Sequence, residues 1–181
     1  MLFKPAIQAA KTSPAEIKTP RKEIAKHIPF DTLDVGVQCH FWNGGKVNLH
    51  DVLERVLLQT GPSRIYLSTW SMGAPSVKKL LSMKNKGLII EISAVVDLRT
   101  RKDHAEAYNM AVSFFDRLAI NKCHAKVIAI CDGKFPATIL GSANLTRNTK
   151  HERICISTTP GVVEGDITAI NELIANGQTV K

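Results

Sequence analysis

The sequence lacks any run approaching the roughly 18 apolar residues that a membrane-spanning helix needs. Its N-terminal segment, MLFKPAIQAAKTSPAEIKTPRKEIAKHIP, has no continuous apolar stretch of signal-peptide length. A cytoplasmic protein without a membrane partner is therefore expected. Cysteine is sparse and scattered. Cys39, Cys123, Cys131 and Cys155 form no Cys-x-x-Cys pair and no spacing of the kind that staples small secreted domains, so they are read as reduced and mostly buried. The neighbours Cys39-His40 and Cys123-His124 are poorly suited to a tetrahedral zinc site, and carboxylates are nowhere spaced like a magnesium or two-metal site. Neither a metal nor another cofactor is expected. Acidic residues are in the minority, 16 Asp and Glu against 24 Lys and Arg, for a formal charge of +8. Such an excess draws polyanions, nucleic acid before an anionic membrane surface.

What remains is an ordinary globular composition, 44% apolar and 22% charged over 181 residues, enough for one domain with its own core. Residues 1–30 stand apart. Pro5, Pro14, Pro20 and Pro29 alternate with Lys4, Lys11, Lys18, Arg21, Lys22 and Lys26, which resists both helix and sheet and predicts a mobile or loosely docked basic arm. That arm reads equally as a polyanion-grasping tail or as a solubilising leader. Residues 31–181 form the expected folded domain.

From Val35 the pattern turns regular. VGVQCHFW reads as a strand ended by Asn43-Gly44-Gly45. In NLHDVLERVLLQTG, Leu49, Val52, Leu53, Val56 and Leu57 share one helical face, with Asn48 as N-cap and Gly61 as the stop. RIYLSTW is a second strand and APSVKKLLSMKNKG a second helix, with Pro75 in its first turn. LIIEISAVVD is too continuous and too β-branched for a surface strand and belongs inside a sheet covered on both faces. DHAEAYNMAVSFFDRLA predicts one helix opened by an Asp103–Glu106 capping box, with Tyr108, Ala111, Val112, Phe115 and Ala119 on its buried stripe. AKVIAIC and FPATILG are strands joined by the hairpin signal Asp132-Gly133-Lys134, RICIST is another strand, and PGVVEGDITAINELIANG is a closing helix buried through Ile167, Ile170 and Ile174. The order predicts an α/β fold, a mixed β-sheet sandwiched between helical layers.

The chemistry concentrates in KCHAKVIAICDGKFPATILGSANLTRNTKHERICIS. On a strand His124 and Lys126 would project to one face. A neutral imidazole beside an ammonium suits a phosphoryl group, attacked by the first and neutralised by the second. Gly141 allows close backbone approach, while Ser142 and Asn144 offer donors to phosphate oxygens. Glu152 could accept the remaining ring N–H of the histidine and fix its tautomer. A histidine-x-lysine pair alone occurs by chance in many chains, but Gly-Ser-x-Asn in a narrow window downstream arises on the order of once in a thousand.

HAKVIAICD followed by GSANLTRNTKHE resembles the signature of the phospholipase D superfamily, His-x-Lys-x4-Asp and then Gly-Ser-x-Asn. The resemblance extends over about residues 45 to 160, in the element order of that superfamily's small, single-motif nucleases. It implies that residues 31–181 are a phospholipase D-like catalytic domain working without a metal. It implies further that His124 becomes a covalent phosphohistidine, that Lys126 and Asn144 bind the phosphate, that Ser142 supports the site and that Glu152 orients His124. In-line attack needs an acid opposite the nucleophile. With one motif per chain, that acid would be His124 of a twofold-related copy, hence a homodimer. One position departs from the signature: Cys131 stands where the aspartate belongs and Asp132 lies one further on, so a bulge or turn must realign it if it is to substitute.

The motif specifies a phosphodiester and leaves the molecule open. Arg99, Arg101 and Lys102 follow the central strand where α/β folds put ligand loops, and with the basic arm they suggest a track for nucleic acid, DNA rather than RNA. The expected activity is a low-specificity nuclease. The alternatives are a catalytically weak or inactive nucleic-acid-binding module, motivated by the displaced aspartate, and a phospholipid hydrolase, for which no amphipathic interfacial helix is seen. Trp42 and Trp70 adjoin strands and are expected in the core. His151 is a second candidate acid, and Asp97 is expected as a cap or loop anchor.

Overall fold

The computed structural model describes residues 28–147 and 149–181. The expected arm lies outside the described residues as far as His27, and of its last three residues Ile28 and Phe30 are buried in the core. Thirteen elements follow in chain order: β1 (Gln38–Trp42), α1 (Leu49–Thr60), β2 (Ser63–Thr69), α2 (Ala74–Asn85), β3 (Ile89–Val96), α3 (Leu98–Asp103) and α4 (Ala105–Phe114). After them come β4 (Arg117–Ile120), β5 (Val127–Cys131), β6 (Ala137–Gly141), β7 (Arg153–Ser157), α5 (Pro160–Ala175) and β8 (Gln178–Thr179).

The eight strands form one mixed sheet in the order β1-β7-β6-β5-β2-β3-β4-β8. β2, β3 and β4 run parallel through helical crossovers, and every other pairing is antiparallel. Helices α1, α2 and α4 cover one face, and α5 packs across β2 to β6 on the other. Alternation along β3 serves both layers: Ile92, Ala94 and Val96 enter the larger core, while Val95 meets Ala119, Cys123, Ile170 and Ile174 beneath α5. β3 is interior and buried without a break from Ile92 to Val96, as its composition predicts. No helix among the described residues is long and apolar enough to cross a membrane.

α1 begins and ends where its sequence signals lie, with a capping box between Asn48 and Asp51 and a C-cap at Gly61. The single long helix expected from Asp103 is a misreading. Asp103 closes the short α3, His104 joins it to α4, and the chain leaves α4 at Phe115 to make the parallel strand β4. Asp116 enforces that exit, since its carboxylate accepts from the backbone N–H of Ile92 at 2.8 Å and from the Lys84 ammonium. Ala119 is accordingly a strand residue under α5. In α5, Val163, Ile170 and Ile174 are buried, while Ile167 is only half-buried.

The topology brings one set of strand ends together. The carboxyl ends of β1, β2, β3 and β6 and the amino ends of β5 and β7 share one rim of the sheet. α1, α2 and α3 all start from that rim. It is the edge at which α/β sheets place ligands.

Candidate active site

His124 and Lys126 stand on this rim, in the three residues that lead into β5. They lie ahead of the strand, not within it. Pairing nonetheless reaches the carbonyl of Lys126, which accepts from Gly141 N–H at 3.1 Å, so the segment keeps a defined place beside β6. The Lys126 ammonium folds back onto its neighbour, with Nζ 2.9 Å from His124 Nδ1, 3.5 Å from Nε2 and 2.6 Å from the His124 carbonyl oxygen. The imidazole is exposed, whereas Lys126 is only 9% exposed. Burial pushes the lysine below its usual pKa, and electrostatic interaction with Cys123 and with the Glu152 carboxylate opposes that push. A half-desolvated ammonium next to an exposed imidazole is primed to meet an anion.

Gly-Ser-Ala-Asn follows β6 over the same rim. Leu145 locks this turn to the end of β2: its N–H donates to the carbonyl of Ser71 at 3.1 Å and its carbonyl accepts from Gly73 N–H at 2.9 Å. Gly141 meets a steric demand from within the sheet, because a Cβ there would stand 3.3 Å from the Arg153 carbonyl of β7. Ser142 Oγ accepts from Arg153 N–H at 3.1 Å and donates to the Glu152 carboxylate. Asn144 is half-buried, and its Oδ1 has no hydrogen-bond partner among the described residues. Among the described contacts, the ring nitrogens of His124 meet Lys126 and the Glu152 carboxylate meets Ser142.

Two residues that the structure brings to the site were not among the candidates read from the sequence. Asn43, read only as a turn residue, is buried and binds Glu152 from both sides, its N–H donating to the Glu152 carbonyl at 2.9 Å and its Oδ1 accepting from Glu152 N–H at 2.8 Å. The same Oδ1 takes Gly45 N–H at 3.0 Å, and Asn43 Nδ2 donates to the Val47 carbonyl at 2.9 Å. An Asn before Gly-Gly was the available hint. Trp70 was expected in the core. It is half-buried instead and stands against His124, ring centroids 5.2 Å apart at a tilt of 49°. The Arg99 guanidinium lies 5.2 Å from the centroid of the Trp70 ring. Trp42 is a clear correction, with 64% of its surface exposed at the sheet edge.

The other candidates separate cleanly. Asp97 caps α3, accepting from Arg99 N–H at 3.0 Å. Arg101 and Lys102 are exposed in the last turn of α3, and no described contact brings them to His124. His151 is exposed beside Glu152. Asp132 lies at the far end of β5, in the left-handed region at φ 67°, and receives the Arg64 guanidinium. It does not realign toward His124. Among the described residues, no group of three or more His, Cys, Asp or Glu side chains is placed to hold a metal ion.

Comparison with solved structures agrees with this architecture. The chain is similar to Nuc of Salmonella typhimurium, a phospholipase D family member, at 19% identity and TM-score 0.62 over 78% of this chain and 96% of that one. It is similar to NucT of Helicobacter pylori at 12% identity and TM-score 0.60, covering 78% and 98%. Phosphatidylserine synthase of Haemophilus influenzae matches at 13% identity and TM-score 0.54, over 78% of this chain but 39% of the synthase. No family model matches the chain, and no curated protein does. The fold is phospholipase D-like.

Proposed function

We propose that the protein is a metal-independent phosphodiesterase, a low-specificity nuclease acting on DNA through a phosphohistidine at His124. The observation that carries this reading is the Lys126 ammonium, buried at the rim and held 2.9 Å from an exposed imidazole. An incoming phosphate oxygen replaces the ring nitrogen as acceptor of the Nζ donor and supplies the counter-charge that burial has withheld. The freed imidazole nitrogen attacks phosphorus, forming a P–N bond as the P–O bond to one nucleoside breaks. The departing oxygen takes a proton from His124 of a second copy, so the working unit is a homodimer with a shared site. Water then attacks the phosphohistidine, giving its proton back to that second imidazole and releasing the P–N bond. Asn144 holds a phosphate oxygen, and Ser142 with Glu152 keeps the turn in register with β7. Glu152 acts on the site through this hydroxyl and through its field at Lys126.

The nuclease assignment draws on the likeness to Nuc and NucT, which this chain covers almost end to end, together with the +8 charge. Cleavage of plasmid and oligonucleotide DNA is measured in EDTA for the wild type and for His124→Ala. The reading requires wild-type cleavage in EDTA and its loss in the variant. Equal activity in both, or activity in neither, overturns it.

A further inference from the structure

Trp42 is the most exposed large apolar side chain in the described molecule, and its place is not arbitrary. It ends β1 and directly precedes Asn43, the residue that holds Glu152. In the sheet register Trp42 faces Arg153. Gly141 faces Ile154, so one step on Ser142 faces Arg153, and two hydrogen bonds of 3.1 Å close that pairing. Val127 faces Leu140 on one side and Ser68 on the other. Two steps further along, the same register puts Ala125, between His124 and Lys126, in line with Ser142 and Trp70. Cross-strand partners share a face. Trp42, Arg153, Ser142, Ala125 and Trp70 therefore form one row along the rim, which His124 joins through its ring contact with Trp70.

The two aromatics in that line differ. Trp70 already meets His124 and Arg99. Trp42 has no such ring partner among the described residues, and α5 packs on β2 to β6, away from the β1 edge. Two cations lie close to it in register and in sequence: Arg153 is exposed opposite it, and Lys46 is exposed four residues on, in the loop whose Gly45 abuts the backbone of Thr149 and Lys150. An exposed indole flanked by cations next to a phosphodiester site matches the aromatic and basic elements that hold unpaired bases.

We propose that Trp42 forms a base-stacking subsite for single-stranded DNA at the edge of the sheet. From β1 to β5 is three strand spacings, roughly 14 Å, which is about four nucleotides of a stacked strand at ~3.4 Å each. A base reaches the Trp42 face only when it is unpaired, so the subsite favours single strands over duplex. The inference rests on the phosphodiesterase reading for its register, with the scissile phosphate at His124.

The test uses the full chain carrying His124→Ala, so that binding is read without cleavage. Adding Trp42→Ala weakens binding of a twelve-residue oligothymidylate by about 5- to 150-fold, and Trp42→Phe in its place restores most of the affinity. The loss disappears for a dinucleotide, which is too short to reach. The chain has two tryptophans, so in Trp70→Phe all indole emission comes from Trp42; the oligothymidylate quenches it and a duplex of equal length does not. Unchanged affinity together with unquenched emission overturns the subsite. So does a loss that coincides with a fall in sedimentation mass and no quench, which assigns Trp42 to a contact between copies. Cleavage by the wild type is scored separately: cleavage with no Trp42 effect removes only the subsite, whereas a Trp42 effect with no cleavage removes only the phosphodiesterase reading.

Discussion

The two ends of β5 carry two charged pairs, built in opposite ways. At the amino end, Lys126 is withdrawn from water beside an exposed imidazole, and burial holds its pKa down. At the carboxyl end, Arg64 and Asp132 meet in the open, their ion pair lowering the pKa of the carboxylate. Between them, Cys131 donates its S–H to Asp132 and is pushed up to about 11 by burial and by that carboxylate. The first pair is unfavourable until an anion arrives, while the second is complete in itself. A cation withdrawn from water marks where an anion belongs, whereas an exposed and satisfied ion pair marks where the chain must turn.

Sharpening this contrast starts with the largest effect. Replacing the cation by Lys126→Met should lower kcat by about 10²–10³-fold. It should leave the melting temperature unchanged or raised, because a buried charge has been replaced by a methyl thioether. Activity and thermal unfolding on the same preparation check both halves. Asp132→Asn should leave both kcat and the melting temperature nearly unchanged: its pair is exposed and screened, and the carboxylate is at the far end of the strand from His124.

The next effect lies in the turn. Asp132 takes the positive φ, so Gly133 is there for room and not for conformation. A Cβ at Gly133 would stand 2.6 Å from Ser63 Oγ and 2.6 Å from the Thr60 carbonyl. Gly133→Ala should cost about 1–3 kcal/mol, a fall of roughly 3–10 °C in melting temperature for a chain of this size. Turnover per folded molecule should hold. A loss of turnover without a loss of stability would mean that the turn end of β5 takes part in catalysis after all.

The smallest effect is set by a buried histidine away from the motif. His50, 8% exposed, accepts or donates at Nδ1 with Ser76 Oγ, 2.9 Å away. Burial lowers its pKa first, with Lys79 adding to that effect and Asp51 and Glu54 opposing it. The folded state therefore prefers neutral His50 more than the unfolded chain does. That contribution to stability is fully present above the unfolded value near 6.5 and is lost as pH falls from there through the folded value. Thermal unfolding at pH 7.5 and 5.0 should show a larger acid-side drop for the wild type than for His50→Gln.

Much of this was legible in the residues, and the misses share a cause. Helices α1 and α2 announced themselves through Asn48, Gly61 and Pro75, and α5 through its apolar spacing at Ile170 and Ile174, all local signals. His124, Lys126, Ser142, Asn144 and Glu152 were singled out because the motif is compact in sequence, and the phospholipase D-like fold was implied with them. The division at His104 was hidden because helical periodicity runs on from Ala105 through Phe115, while the stop is imposed by Asp116 bonding to β3. Trp70 reaches His124 only because β2 pairs with β5, and Asn43 reaches Glu152 only because β1 pairs with β7. Contacts across 54 and 109 residues leave no periodicity to read.

The central claim is that His124 itself bonds to phosphorus. A 5′-labelled oligonucleotide, mixed with the enzyme in EDTA and quenched in denaturant within a turnover, tests it by mass spectrometry of the digested protein. An acid-labile nucleotidyl adduct is expected on the peptide carrying His124, formed as fast as product appears and missing from His124→Ala. Rapid cleavage with no adduct on that peptide, or with the adduct on another residue, would contradict it.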